Sequence, residues 1–425
     1  MKRIALFIVT LCLVFFLLPG YAKADESFPT LNSTSVVLMD AKTRRVLYEI
    51  NPNEKRYPAS TTKIMTMLLA VENGNLDDTL TLSHEAIFSI ERDSSHIALD
   101  ENEIISLRSA VEACSMASAN DAANGIAEFI GGSFSGFADM MNARAAELGC
   151  TNTHFVNAHG LYDPDHYTTA YDMALIMAAA AANPTYLELT TITSDTIAPT
   201  NIQPETRPLN TNNRLLIASS PYYIEEVVTS KSGYTDESKH SLVSYAKKGD
   251  VELIVSIIGS ETAADCYNDT RSLLDYAFAN YQLSPNSDEL VELPSLPVAF
   301  YLHADNPNEL ALESPFSQFV IPNDQQEALS VSYELPDTLS QSKKSGSVVG
   351  TATLYLGDEV LETRNIILTE NVSSKFSLFI NFIFTTLKWI IILLVSAIIA
   401  LIVAKKIYIH HRRKKRRQQR RHQSR

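Results

Sequence analysis

Near its C-terminus the chain runs from Trp389 to Ala404 with no charged residue, and no acid follows it to the end. The weaker apolar stretch from Phe376 to Phe384 extends this segment, 376–404, beyond the roughly 20 residues a helix needs to cross a bilayer. Lys388 interrupts it, at a place where a long lysine stem can snorkel to the headgroups beside an interfacial Trp389. Residues 405–425 then form a tail dense in lysine and arginine, including the run His410 to Arg417. The positive-inside rule puts such a tail in the cytoplasm and everything ahead of the span on the other side of the membrane. A basic run beside a spanning helix reads as a topology signal in preference to a nucleic-acid-binding tail.

The N-terminus agrees with export. Lys2 and Arg3 precede an apolar run from Ile4 to about Leu18, and Ala22-Lys23-Ala24 supplies a small-x-small cleavage site. Residues 1–24 therefore read as a secretory signal peptide; an uncleaved anchor would need a longer run. Of 35 Lys and Arg in the chain, 3 lie in that leader and 11 after Ala404, which leaves 21 against 49 acids between them. A net charge of −28 argues against nucleic acid or anionic lipid as the main partner of the exported part. Cys114, Cys150 and Cys266 remain after cleavage, odd in number and without metal-type spacing, and are expected as buried free thiols.

The exported part is long enough for two domains. Over 25–282 the patterns mix: strands at Ser35 to Met39 and Arg45 to Glu49, a helix from Ser60 to Val71, and helices at Ser106 to Met116, Asp121 to Ile130, Phe134 to Leu148 and Thr169 to Ala182. Strands return at Glu226 to Thr229, Ser241 to Ala246 and Glu252 to Ile258, before a closing helix at Ser272 to Tyr281. Strands, then helices, then strands again predict an α/β (α+β) domain with helices around a mainly antiparallel sheet. Over 283–370, short strand-like runs at Val298 to His303, Leu329 to Glu334, and Thr351 to Leu356 with Val360 to Ile366 predict a small all-β domain, the last two as a hairpin.

Three motifs stand in order along the first domain: Ser60-Thr61-Thr62-Lys63, Ser118-Ala119-Asn120 and Lys231-Ser232-Gly233. On a helix, positions three apart share a face, so Lys63 can reach the Ser60 hydroxyl. A buried Lys63 close to Lys231 would have its pKa lowered by desolvation and like charge, giving a neutral amine able to take the serine proton. Ser118 can pass a proton to a leaving amine, and the Asn120 amide offers both donor and acceptor to a peptide. On a strand edge, Lys231 brings positive potential, Ser232 a hydroxyl, and Gly233 room for a ligand to lie against the backbone, a combination suited to a terminal carboxylate. Each motif alone has a plain alternative, as helix caps or a strand end. Their order and spacing form the set seen in penicillin-binding proteins and class A β-lactamases.

With Phe155-Val156-Asn157-Ala158-His159-Gly160-Leu161, Thr169-Ala170-Tyr171-Asp172 and Leu273-Leu274-Asp275-Tyr276, these stretches resemble the low-molecular-weight penicillin-binding proteins, the D-alanyl-D-alanine carboxypeptidases of peptidase family S11, from about Thr34 to Ile367. The resemblance implies a transpeptidase-like domain, an acyl-enzyme on Ser60, Lys63 as base, assistance from Ser118, and Lys231 near the substrate carboxylate. It implies an oxyanion hole from the backbone N–H groups of Ser60 and Tyr234. It also implies peptidoglycan stem peptides ending in D-Ala-D-Ala as substrates, β-lactams as covalent inhibitors, and no cofactor. Three departures stand out: Ser232 where threonine is usual, Cys266 where many relatives carry a base, and a spanning anchor in place of an amphipathic one.

The same acylation machinery serves β-lactamases and transpeptidases, but no glutamate motif for a deacylating water is evident. A wall-binding scaffold or β-lactam sensor would not need a buried lysine beside a serine. His154, His159 and His166 raise zinc chemistry, yet their spacing does not fit a paired helical site, so no metal is expected.

Overall fold

A computed structural model of the chain describes residues 28–294, 296–297, 309–339, 342–372 and 375–422. The signal peptide and the strand expected at Val298 to His303 lie outside the described residues. Two compact units emerge. The first runs to Leu283 and includes Phe319–Asn323; the second takes Ser284–Gln318 and the chain from Asp324 onward.

The first unit is built on five strands, β1 (Val36–Asp40), β2 (Val46–Ile50), β3 (Val227–Thr235), β4 (Lys239–Lys248) and β5 (Val251–Ser260), in the order β2-β1-β5-β4-β3. Every pairing in it is antiparallel. Successive side chains on a strand face opposite sides, and here both sides are covered. Val36 and Leu38 of β1 join Leu273, Leu274 and Ala277 of helix α6 (Ala263–Asn280) in one cluster. Val37 and Met39 join the larger cluster with helices α1 (Lys63–Asn73), α2 (Leu107–Met116), α3 (Asn120–Gly131), α4 (Phe134–Leu148) and α5 (Ala170–Ala181). A strand buried on both faces loses its polar alternation, which explains the unbroken Val-Val-Leu-Met of β1.

Local chemistry sets the helix starts. Ser106 accepts from Ser109 N ahead of α2, Ser133 from Gly136 N ahead of α4, and Thr169 from Asp172 N ahead of α5. Some boundaries differ from the periodic reading. Ser60 lies in a 3-10 turn, Ala59–Thr62, and the α-helix begins only at Lys63. Asn183-Pro184 ends α5 but also opens a further helix, Pro184–Thr190, with Asn183 as its cap and the proline at its first position. Helix α6 begins nine residues before the expected Ser272, because Thr262 caps it at Asp265 N and its first turns carry too few apolar residues to show a period.

Helix α1 runs through the core, with every residue from Lys63 to Ala70 buried. A helix so enclosed shows no clean amphipathic stripe, and Lys63, the one charged side chain in this buried stretch, must find partners inside the protein.

In the second unit, strands β6 (Leu310–Leu312), β7 (Leu329–Glu334), β8 (Val348–Leu356) and β9 (Glu359–Leu368) form an antiparallel sheet in the order β6-β9-β8-β7. Gly357, at φ +60°, makes the β8–β9 hairpin turn as expected. Ala352, Leu354, Ile366 and Leu368 bury its inner face. Helix α7 (Lys375–His422) contains the apolar segment, and over Leu378–Arg417 it is long and apolar enough to cross a membrane.

Candidate active site

The three motifs, 113 residues apart at their widest hydrogen bond, meet at one cleft of ≈ 660 Å³. Ser60, Ser118, Asn120, Ser232, Gly233 and Tyr234 line it, and the two lysines lie just behind its surface.

Lys63 is fully buried and its ammonium nitrogen has three neighbours: Ser60 Oγ at 3.2 Å, Asn120 Oδ1 at 2.6 Å and the His159 carbonyl oxygen at 2.8 Å. An ammonium has three N–H donors, and all three are used. Two of the acceptors are carbonyl-type oxygens that can only accept. When the amine loses a proton, those two keep its remaining N–H groups and the lone pair is left facing Ser60. Burial first, and the neighbouring Lys231 second, pull the Lys63 pKa down from 10.5 to about 7. Near neutral pH a large share of Lys63 is therefore the free amine.

Lys231 projects from edge strand β3 and donates to Ser118 Oγ at 3.0 Å and to the Ser232 carbonyl at 2.8 Å. Burial lowers its pKa to about 8, so at neutral pH it stays mostly cationic. Ser118 is held in left-handed backbone at φ +56°, and Ala59, just before Ser60, at φ +48°. Non-glycine residues pay strain there, and such positions persist where surrounding structure fixes them. Neither Ser118 nor Asn120 caps α3. Its cap residue is Ala119 without a side-chain bond, and the Asn120 amide turns to Lys63 instead.

Two glycines permit the close packing of this centre. A Cβ on Gly233 would stand 2.8 Å from Ser60 N, so only glycine lets β3 press against the Ser60 turn. Gly160, at φ +86°, would put a Cβ 1.9 Å from the Ala59 carbonyl oxygen. Tyr234 leaves its side chain half exposed, with its hydroxyl donating to Asp236 Oδ1 at 2.7 Å and its ring stacked on His240.

The three histidines have structural tasks. Thr62 Oγ1 donates to the Ala59 carbonyl, so the 2.8 Å contact to His166 is donated by Nε2–H, while His166 Nδ1 accepts from Val156 N. His159 Nδ1 accepts from Leu161 N at 3.1 Å. Burial holds both rings neutral, with pKa values lowered to about 3, and the Nδ1 lone pairs that a metal would need are already committed. His154 sits apart, on the Asp165 carbonyl. Among the described residues no group of three His, Cys, Asp or Glu side chains is placed to hold a metal ion. Cys114, Cys150 and Cys266 are buried free thiols. Cys266 lines the cleft, its Sγ 3.6 Å from the His240 carbonyl, with burial raising the thiol to about 12. Among the described residues that line the cleft there is no lysine or arginine, and His240 is the one basic side chain.

Motif reading missed the His159 carbonyl and the Thr62–His166 bond. The signal for both was the Asn157-Ala158-His159-Gly160 stretch, whose glycine marks a tight approach but does not say to what.

A buried lysine with a lowered pKa facing a serine, a second lysine on a hydroxyl, and an edge strand beside them define the class: an active-serine enzyme on the transpeptidase-like fold. Residues 22–262 match the model of the D-alanyl-D-alanine carboxypeptidase family, peptidase S11, and residues 304–374 that of the C-terminal domain of penicillin-binding protein 5. The chain is 32% identical over 371 residues to D-alanyl-D-alanine carboxypeptidase DacF of Bacillus subtilis, covering 85% of this chain and 92% of that protein. It is 30% identical over 374 residues to DacC of Escherichia coli, covering 84% and 89%. The structure of penicillin-binding protein 5 from Haemophilus influenzae superposes with a TM-score of 0.67 at 26% identity, over 82% of this chain and 99% of that one. The chain belongs to the S11 family of D-alanyl-D-alanine carboxypeptidases.

Proposed function

We propose that this enzyme removes the terminal D-alanine from peptidoglycan stem peptides through an acyl-enzyme on Ser60. The observation that carries the reading is the Lys63 amine, buried, lowered to about 7, and hydrogen-bonded to Ser60 Oγ at 3.2 Å. Neutral Lys63 takes the hydroxyl proton as Ser60 Oγ attacks the carbonyl carbon of the penultimate D-alanine. The proton passes through Ser118, which Lys231 polarises, to the departing D-alanine nitrogen. Water then cleaves the Ser60 ester and restores the hydroxyl. The backbone N–H groups of Ser60 and Tyr234 stabilise the oxyanion, a reading supported by the close approach of Ser60 N to Gly233, the residue before Tyr234. Lys231 and Ser232 receive the substrate carboxylate, and Asn120 its peptide backbone.

β-Lactams enter the same path as covalent inhibitors, since their leaving group stays tethered after acylation. Helix α7 anchors the chain in the cell membrane as a single span, with the basic tail in the cytoplasm and the catalytic unit outside. The test is release of D-alanine from a D-Ala-D-Ala pentapeptide, with intact mass to follow a penicillin adduct. Ser60→Ala abolishes both release and adduct. An adduct that survives Ser60→Ala, or maps elsewhere, overturns the assignment.

A further inference from the structure

One wall of the catalytic cleft is a loop with a second cavity behind part of it. Residues 89–103 carry no regular helix or strand. Glu91, Asp93, Ser94 and Ser95 face the cleft, while Glu91, Arg92, His96 and Leu99 face a second cavity of ≈ 480 Å³, with Asp121 at its base. Leu99 is anchored in the main core cluster and Ile97 packs against it, but the stretch from Glu91 to His96 has open space on both sides, so its position depends heavily on hydrogen bonds.

Arg207 Nη2 donates to the Ala98 carbonyl at 3.2 Å, and the other long-range bonds of residues 95–99 converge on the first turn of α3. Asn120 N donates to the Ser95 carbonyl at 2.8 Å. The Asp121 carboxylate, 1% exposed, accepts from Ile97 N at 3.2 Å and Leu99 N at 3.0 Å, and from Ala122 N of its own helix at 2.9 Å. Ala98 lies between the two loop donors at φ +56°, and this left-handed residue turns both N–H groups toward one anion. Asn120 and Asp121 are about 100° apart around the helix. The first holds Lys63 and the second holds the wall, so one helical turn sets the reacting group and the cleft boundary together.

We infer that Asp121 is a positioning residue: acting through the 91–99 loop, it fixes the cleft wall that the acyl-donor arm of the peptide substrate lies against. The inference rests on the proposed reaction for the identity of the substrate. It assigns Asp121 no contact with the reacting atoms. A small β-lactam has little arm to place, whereas a pentapeptide spans the cleft, so the loss on unpinning falls on the peptide.

The experiment uses the full chain in detergent. In Asp121→Asn one strong acceptor oxygen and the charge are lost with little change in volume. Hydrogen exchange across residues 95–99 should accelerate, and KM for a D-Ala-D-Ala pentapeptide should rise about tenfold with kcat within about threefold, the split expected when binding but not chemistry is weakened. Ala98→Val burdens the left-handed turn with a β-branched side chain and leaves the carboxylate in place, so it should reproduce the same pattern even where Asp121→Asn fails to fold. Unchanged exchange and KM in both variants would overturn the inference. So would a fall in kcat accompanied by a displaced pH profile for penicillin acylation, because Asp121 is also the weakest of the named charge influences on Lys63 and would then be acting there. A wild-type chain that releases no D-alanine sinks the proposed reaction, and the exchange comparison still decides whether Asp121 pins the wall.

Discussion

Replacing Lys231 with methionine tests the electrostatics of the site, because it removes the cation beside Lys63 and keeps a side chain of similar reach. Burial and Lys231 bring the Lys63 pKa down from 10.5 to about 7, a difference on the order of 5 kcal/mol. At pH 7 an ordinary lysine is neutral in roughly one molecule in 3,000, whereas Lys63 is neutral in about half. Burial is the larger cause and Lys231 the second. Taking away a positive neighbour favours the protonated form, so the Lys63 pKa rises and the acid limb of the acylation profile moves to higher pH. Each unit of that movement lowers the free-amine fraction at pH 7 about tenfold. Burial remains, so the limb stops short of 10.5. Lys231 itself titrates near 8, and an alkaline limb there, where the cation is lost, disappears from the variant. The assay is the rate of Ser60 acylation by a fluorescent penicillin from about pH 5 to 10, read for limb positions and not for amplitude. An acid limb that stays in place, or an alkaline limb near 8 that survives the substitution, would refute the reasoning.

Three other outcomes are expected. Gly233→Ala puts a Cβ 2.8 Å from Ser60 N and forces strand and turn apart, so acylation should fall by about 10- to 100-fold while circular dichroism stays unchanged; a wild-type rate would show that the close approach is dispensable. The chain trimmed to residues 25–372 should be recovered in the soluble fraction and still form the penicillin adduct, since no motif residue lies in α7; retention by membranes would place an anchor elsewhere. A strong chelator should leave D-alanine release unchanged, and a loss that zinc restores would bring the histidines back into the chemistry.

The order of Ser60-Thr61-Thr62-Lys63, Ser118-Ala119-Asn120 and Lys231-Ser232-Gly233 is a property of the sequence, as are the bounds of α4, the β8–β9 hairpin and the apolar run within α7. Each depends on contacts a few residues apart or on composition, which a linear reading contains. Helix α6 and the 3-10 turn at Ser60 were less legible. A weak period hid the start of α6, and a helix buried on all sides, such as α1, does not mark where its regular geometry begins.

What the sequence could not supply is the environment of the groups it names. The proposed base role of Lys63 depends on burial and on the nearby Lys231, which lower its pKa, while Asn120, 57 positions away, and the His159 carbonyl, 96 away, hold its nitrogen against Ser60. Ser118 joins the site through Lys231, 113 positions away, and through a backbone strained into the left-handed region. Asp121 looks like an ordinary first-turn acid until the fold brings Ile97 and Leu99 to it. The residues set which chemistry was available. Tertiary structure alone set desolvation and the approach of Lys231, which shift the Lys63 pKa, and the long-range hydrogen bonds that fix the cleft, because all of these depend on what surrounds a group in space and not on its neighbours along the chain.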